Sequence, residues 1–246
     1  MLQNENIYLF LAILPIVSFL YSSIGHGGAS GYLALMALFS FAPESMKPTA
    51  LLLNLFVAGI AFYYYYKEGY FNKKLFLVFA IASVPLAFIG GTIEVDASIY
   101  KKILAILLIF AILKMLNVFG KENDRTKKVK LWQGLAIGAV IGFFSGLIGI
   151  GGGIILTPVI LLLHWGNMKQ AAAVSALFIW VNSAAGLTGQ LSSGVSIEKE
   201  SLLLVAIALT GGVLGGYYGS KKINNKNLRY ILAFVLIIAS AKLFFI

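Results

Sequence analysis

Charge is the scarcest property of this chain. Asp, Glu, Lys and Arg make up 11% of its 246 residues, where a soluble domain carries about 25%. Hydrophobic residues supply 60% and mean hydropathy is +0.92, which excludes a soluble fold. Cysteine is absent altogether, and with it disulfides and thiolate metal sites. The two histidines, His26 and His164, stand far apart with no HExxH-like pattern around either. A membrane enzyme would need an acid–base or metal cluster, so the chain is expected not to be an enzyme and to hold neither cofactor nor metal. No acidic residue falls in the middle of an apolar segment; Glu68, Glu94 and Asp96 sit at segment ends. That leaves a carboxylate-based Na⁺ site or a carboxylate proton relay without its residues. No Walker lysine follows a glycine cluster, so ATP-driven transport is not encoded.

What remains is a set of long apolar runs, at roughly 7–24, 28–41, 49–66, 74–93, 99–118, 131–148, 150–163, 171–188, 202–219 and 228–245. They lack the alternating polarity and the segments of about ten residues that mark a membrane barrel. The fold class is therefore an all-α integral membrane protein. A full span needs about 20 apolar residues, and 28–41 and 150–163 fall short. At about 1.5 Å per residue each reaches only about 21 Å. The opening run carries Glu5 as its only charge and no basic segment before it, so it reads as a retained helix, not a cleaved leader.

The chain also repeats itself. "FLYSSIGHGGASGYLALMALF" (19–39) lies over "FFSGLIGIGGGIILTPVILLL" (143–163) at an offset of 124, and "MKPTALLLN" (46–54) resembles "MKQAAAVS" (168–175). Gly69 answers Gly194, and Gly90–Gly91 answers Gly215–Gly216, at an offset of 125. This divides the chain into a first membrane repeat (1–119), a charged linker (120–130) and a second membrane repeat (131–246). Duplicated halves with glycine-interrupted segments in matching places are a pattern of secondary transporters.

Loop charge orients the repeats. The loops at 67–74, 119–130, 164–170 and 220–229 hold thirteen of the nineteen basic residues, while the other face holds six of the nine acids. By the positive-inside rule the basic face is cytoplasmic and both termini are extracytoplasmic, in a multi-pass protein of the cell (inner) membrane. The net charge of +10 thus reports topology, not nucleic-acid binding. Five segments per half is an odd number, which makes the repeats inverted. Ten full spans and six spans plus two re-entrant hairpins predict the same loop sides, so both layouts stay open.

Both short segments follow a glycine cluster: Gly25, Gly27, Gly28 and Gly31 in "YSSIGHGGASGY", and Gly149, Gly151, Gly152 and Gly153 in "SGLIGIGGGIIL". A non-helical backbone inside a bilayer is tolerated only where protein or a water-filled cavity satisfies it. Each cluster also opens a helix, whose first N–H groups are unpaired and partially positive, a ready anion site. Close helix packing through glycine is the competing explanation. His26, inside the first break, could carry a proton coupled to transport, or cap a helix end. Asn54 and Ser175, read as matching positions of the two halves, are expected to touch the solute, together with Ser30, Thr157 and Asn182.

On "GHGGASGY", "GIGGGIILTP", "TALLLN" and "AAAVSALF", in this order and in a doubled frame, the chain resembles the TauE/SafE family of sulfite-exporter-like permeases over about residues 7 to 245. The resemblance implies transport of a small anion such as sulfite, thiosulfate or sulfoacetate. Ala29 stands where a full glycine triplet would continue, and Ile150 stands where the first half has His26. The expected partners are a small anionic solute and the lipid bilayer, with a homodimer left open. The expected site joins Gly25, His26, Gly27, Gly28 and Ser30 to Gly151, Gly152, Gly153, Asn54, Thr157, Ser175 and Asn182. An anion channel and a carriage of small carboxylates are the alternatives to sulfur-oxyanion transport.

Overall fold

A computed structural model describes residues 7–115 and 127–221 together with Ile237, and its regular structure there is entirely helical. The helices are α1 (Ile7–Ser23), α2 (Ala29–Leu38), α3 (Pro43–Lys67), α4 (Lys73–Thr92), α5 (Ala97–Met115), α6 (Leu131–Ile148), α7 (Gly153–Leu162), α8 (Met168–Ser192) and α9 (Glu200–Lys221). Nine of the ten expected segments are thus described helices. The tenth, at 228–245, apart from Ile237, and linker residues 120–126 lie outside the described residues. Five described helices, α3, α4, α6, α8 and α9, are long and apolar enough to cross a membrane.

Local chemistry sets several boundaries. Asn72 accepts from the Leu75 N–H at the start of α4, at 3.1 Å. Asn167 and Gln170 close a capping box at the start of α8, each side chain taking the other's backbone N–H. Pro43 opens α3, six residues before the apolar run that marked it in the sequence, because a proline at the first turn needs no N–H partner. The half-length helices α2 and α7 instead begin at Gly28 (φ 102°) and Gly152 (φ 77°), left-handed positions that favour glycine.

The bundle has two ends. At the upper end the Phe10 ring stacks against Phe39 and Phe41, and Thr49 bonds Ser201. The start of α1, the end of α2 and the starts of α3 and α9 therefore lie together. At the lower end Lys127 N–H donates to the His164 carbonyl, joining the start of α6 to the end of α7. Each glycine break is thus the turn of a hairpin that returns to the end it came from. The first hairpin can be followed in depth. Ser23, the last residue of α1, accepts from Tyr65 near the lower end of α3. The chain then climbs past Ala172 at Gly25 to the level of Asn54 and Ile179 at Gly27, about halfway along α3 and α8. Within this arrangement α2 and α7 are half-helices that start in the middle of the bundle.

The two halves interleave. Gly211, Gly215 and Gly219 of α9 press against the carbonyls of Pro15, Phe19 and Ser23 of α1, advancing together in steps of four. Gly138, Gly142 and Gly146 of α6 do the same against Phe79, Ser83 and Ala87 of α4. Each pair is parallel, joins one helix from each half, and maps onto the other when the halves are exchanged. Between them α3 and α8 cross antiparallel, with Tyr65 packed on Ala172, Asn54 bonded to Ser183 and Leu51 against Gly186.

Candidate functional site

The two glycine breaks meet on one side chain. Asn54 Oδ1 accepts from the Ala29 N–H, the first residue of α2, at 3.0 Å, and Asn54 Nδ2 donates to Ser183 Oγ at 3.2 Å. Asn54 is fully buried. A Cβ placed on Gly27 would overlap Asn54 Oδ1, and one placed on Gly151 would lie 2.5 Å from Asn54 Nδ2. Both breaks therefore pass over the same amide with no room for a methyl group. The starts of α2 and α7 come to the middle of the bundle from opposite ends, which brings the positive ends of two helix dipoles together.

A second polar chain runs beside it. His26 Nδ1 lies 3.0 Å from the Ile24 carbonyl, His26 Nε2 lies 3.1 Å from Thr157 Oγ1, and Thr157 Oγ1 lies 2.8 Å from Ser175 Oγ. All three side chains are at most 3% exposed. Thr157 belongs to the second turn of α7, so a residue from the first break is tied to a helix of the other half. Exchanging the halves replaces His26, Thr157 and Ser175 by Ile150, Leu33 and Ala50, which sit in an apolar cluster. The centre thus has one polar half-site, below the middle and toward the lower end, and one apolar counterpart above it. Among the described residues the buried polar side chains are Ser, Thr, Asn, Gln and His, with no carboxylate.

The remaining expected residues divide. Gly153 packs on Ile179, Gly152 on Ile141 and Phe178, Gly28 on Tyr32 and Gly25 on Ala172, so all of them line the two breaks. Ser30 turns away from the centre and donates to Tyr21 Oη at 2.9 Å, tying α2 to α1. Asn182 also faces elsewhere: it accepts from Ser83 of α4 and donates to the Phe178 carbonyl at 2.7 Å. The pairing of Asn54 with Ser175 as equivalent positions does not hold. α3 and α8 are both 25 residues long, and the position in α8 that answers Asn54 is Ile179, which faces Gly27, Gly151 and Gly153. Ser175 joins the site through Thr157 instead.

Ser183 and Gln190 were missed by the sequence reading. Ser183 is adjacent to Asn182, and only one of two consecutive helical residues can face α3. Gln190 is 1% exposed, and neither of its amide atoms has a hydrogen-bond partner among the described residues.

Comparison with known proteins places these features in a lineage. A family model described as sulfite exporter TauE/SafE matches residues 9–243. A probable membrane transporter protein of Sinorhizobium fredii is 35% identical, covering 98% of this chain and 99% of its own. A probable membrane transporter protein of Methanocaldococcus jannaschii is 27% identical over 93% of each chain, and one of Bacillus subtilis is 28% identical over 82% and 81%. No solved structure matches.

Proposed function

The chain belongs to the sulfite exporter TauE/SafE family and is a membrane transporter, and from that premise we propose that its solute is a small sulfur oxyanion or organosulfonate, held where α2 and α7 begin. The observation that carries this reading is the convergence of two half-helix starts on a buried centre whose side chains are hydroxyl, amide and imidazole. Neutral donors and helix dipoles hold an anion without a permanent counter-charge. Such binding is moderate, and a carrier has to release what it binds. Gly25, Gly27, Gly28, Gly151, Gly152 and Gly153 let the backbone approach the solute, and Asn54, Thr157 and Ser175 add side-chain hydrogen bonds.

The opposite return directions of the two hairpins support inverted repeats. Taken with the positive-inside rule, the lower end is cytoplasmic, both termini are extracytoplasmic, and the polar half-site faces the cytoplasm in this conformation. His26 is the proton-coupling residue. Its imidazole is the one group at the centre whose ordinary pKa, about 6.5, lies in the physiological range.

The test is solute flux into proteoliposomes with sulfite, thiosulfate, sulfoacetate and acetate offered in turn. Saturable flux of a sulfur oxyanion is expected. Flux of acetate alone would make the protein a carboxylate carrier, non-saturating flux would make it a channel, and silence toward every anion by isotope uptake would reject the reading. Thiosulfate serves for pH work because its charge is constant between about pH 6 and 8. Over that range His26→Gln, which keeps a hydrogen-bonding group near Thr157 but cannot titrate, is expected to make thiosulfate flux independent of pH. An unchanged pH profile would remove His26 from the coupling.

Alternating access follows the interleaving. The bundles that rock are α1–α3 with α9, and α6–α8 with α4, so each carries one helix of the other half. The links between them, α3 to α4 and α8 to α9, contain Gly69 (φ 77°) and Gly194 (φ 89°), each with open space around it. A disulfide within one such bundle is therefore expected to spare transport even though it joins the two halves of the sequence. Val78 of α4 and Gly134 of α6 are the pair to use: a Gly134 Cβ lies 3.2 Å from Val78 Cβ, a few tenths of an ångström inside the usual disulfide separation of about 3.5–4.5 Å, so a small outward shift of the two helices accommodates the bridge. Oxidised Val78→Cys/Gly134→Cys should retain sulfoacetate flux within about twofold of its reduced form. A block on oxidation would mean that the sequence halves themselves are the moving bodies.

A further inference from the structure

The seam between α3 and α8 carries a second polar site at its upper end. The antiparallel register runs through Asn54 opposite Ser183 and Leu51 opposite Gly186. One turn farther along both helices, Lys47 comes opposite Gln190. The lower end of the same seam repeats this arrangement, because Tyr65 and Ala172 occupy the places that Gln190 and Lys47 take under exchange of the halves. There Tyr65 Oη donates to the carbonyl of Ser23, where α1 ends, at 2.9 Å. At the upper end Tyr100 Oη donates to the carbonyl of Ile148, where α6 ends, at 3.1 Å, one residue beyond the position that answers Ser23. Gln190 stands in the place of Tyr65, and both of its amide atoms stay unpartnered among the described residues at 1% exposure.

Lys47 brings a charge to the same level of the seam. Its stem packs on the second glycine break: a Gly149 Cβ would lie 3.0 Å from Lys47 Cγ, as a Gly25 Cβ would meet Ala172 in the other half. Its Nζ reaches the Ile93 carbonyl at a loose 3.4 Å. An ammonium on an unstrained hydrogen bond and a buried, unused amide N–H₂ are thus set across one seam, about two helical turns above Asn54.

We infer that Lys47 and Gln190 form an upper anion-binding site, separate from the central one, where a small oxyanion pauses between the solvent and Gly151. It takes a sulfonate, sulfite or carboxylate group, with the Lys47 ammonium supplying charge and the Gln190 amide donating one hydrogen bond. Lys47 exchanges the Ile93 carbonyl for the anion. This deepens the functional reading above and rests on it for the identity of the solute.

The natural absence of cysteine gives a test that does not depend on transport. Gln190→Cys is the single thiol of its variant, and its modification by small anionic and cationic thiosulfonates is timed from the upper side in proteoliposomes. The described upper end holds Glu44, Glu94, Asp96, Glu198 and Glu200 against four lysines, so its overall charge does not favour anions. The anionic reagent is expected to react at least about tenfold faster than the cationic one. Lys47→Gln should erase that preference, Lys47→Arg should keep it, and millimolar sulfoacetate should slow the reaction in the Lys47 background. Equal rates, a preference for the cation, an inert thiol, or a preference indifferent to Lys47→Gln would each overturn the site. A wild-type protein that moves no anion would reject the functional reading while leaving the thiol result to stand alone.

Discussion

Gly27→Ala is expected to stop transport while leaving the protein folded in the membrane. Gly27 is not at a positive φ, so alanine is allowed by the backbone and the effect must come from contact. The added methyl would overlap Asn54 Oδ1 and come within 2.9 Å of Ile179 Cγ2. The amide has to turn away, which breaks its bond to the Ala29 N–H at the start of α2 and frees a buried donor. Leaving one buried group unsatisfied costs about 1–3 kcal/mol, and with the displaced bond to Ser183 the loss in flux should reach roughly 100-fold. Asn54→Ala should cost a similar amount, since it removes the same amide. The decisive measurement is the double variant. If both substitutions act through Asn54, Gly27→Ala in the Asn54→Ala background should cost no more than about twofold further, a strong departure from additivity. Additive losses would mean that Gly27 and Asn54 serve separate functions. Gly151→Ala, which would also press on Asn54 Nδ2, carries an added strain because its φ is +72°; it should be worse than Gly27→Ala and only partly relieved by Asn54→Ala.

These residues show what could be read from the chain and what could not. The glycine rhythm was legible because a break within hydrocarbon is costly and glycine is nearly the only residue that allows it. The shortness of 28–41 and 150–163 was legible too, and the half-helices are shorter still, at ten residues each. The partner of Asn54 was misread for a definite reason. The turn between α2 and α3 spans residues 39–42, while its counterpart spans 163–167. The offset between halves therefore changes from 124 to 125 at that point, and "MKPTALLLN" against "MKQAAAVS" is out of register. Ser30 and Asn182 were legible as polar groups in apolar helices, but such groups first satisfy one another across helix contacts. Tyr21 and Ser83 claim them. The link from His26 to Thr157 joins residues far apart in the chain, and no local spacing carries that information. Interleaving was equally hidden, since a glycine stripe announces a close neighbour without naming it.

That stripe sets the largest expected loss of stability. Gly211→Val and Gly146→Val should each prevent assembly of the bundle. The nearest atoms to a new Cβ are backbone carbonyls, Pro15 O for Gly211 and Ala87 O for Gly146, and backbone cannot swing aside as a side chain can. Relief requires the helix pairs α1–α9 and α4–α6 to separate along their length, undoing the neighbouring glycine contacts as well. Overpacking costs about 1–3 kcal/mol where side chains can yield, and more where they cannot. Even about 3 kcal/mol would lower the melting temperature by roughly 6–12 °C in a protein of this size. Alanine at either position should already show that shift in detergent, and valine should leave no monodisperse protein. Gly69→Ala is the matched comparison: nothing lies within 4 Å of its Cβ, so its cost is confined to the positive φ, about 1 kcal/mol. If Gly211→Ala and Gly69→Ala melted together, the close approach of α1 to α9 would not be what binds the two halves into one bundle. A wide gap between them would tie stability to the same interleaved helix pairs that, under the rocking-bundle proposal, decide which parts move during transport.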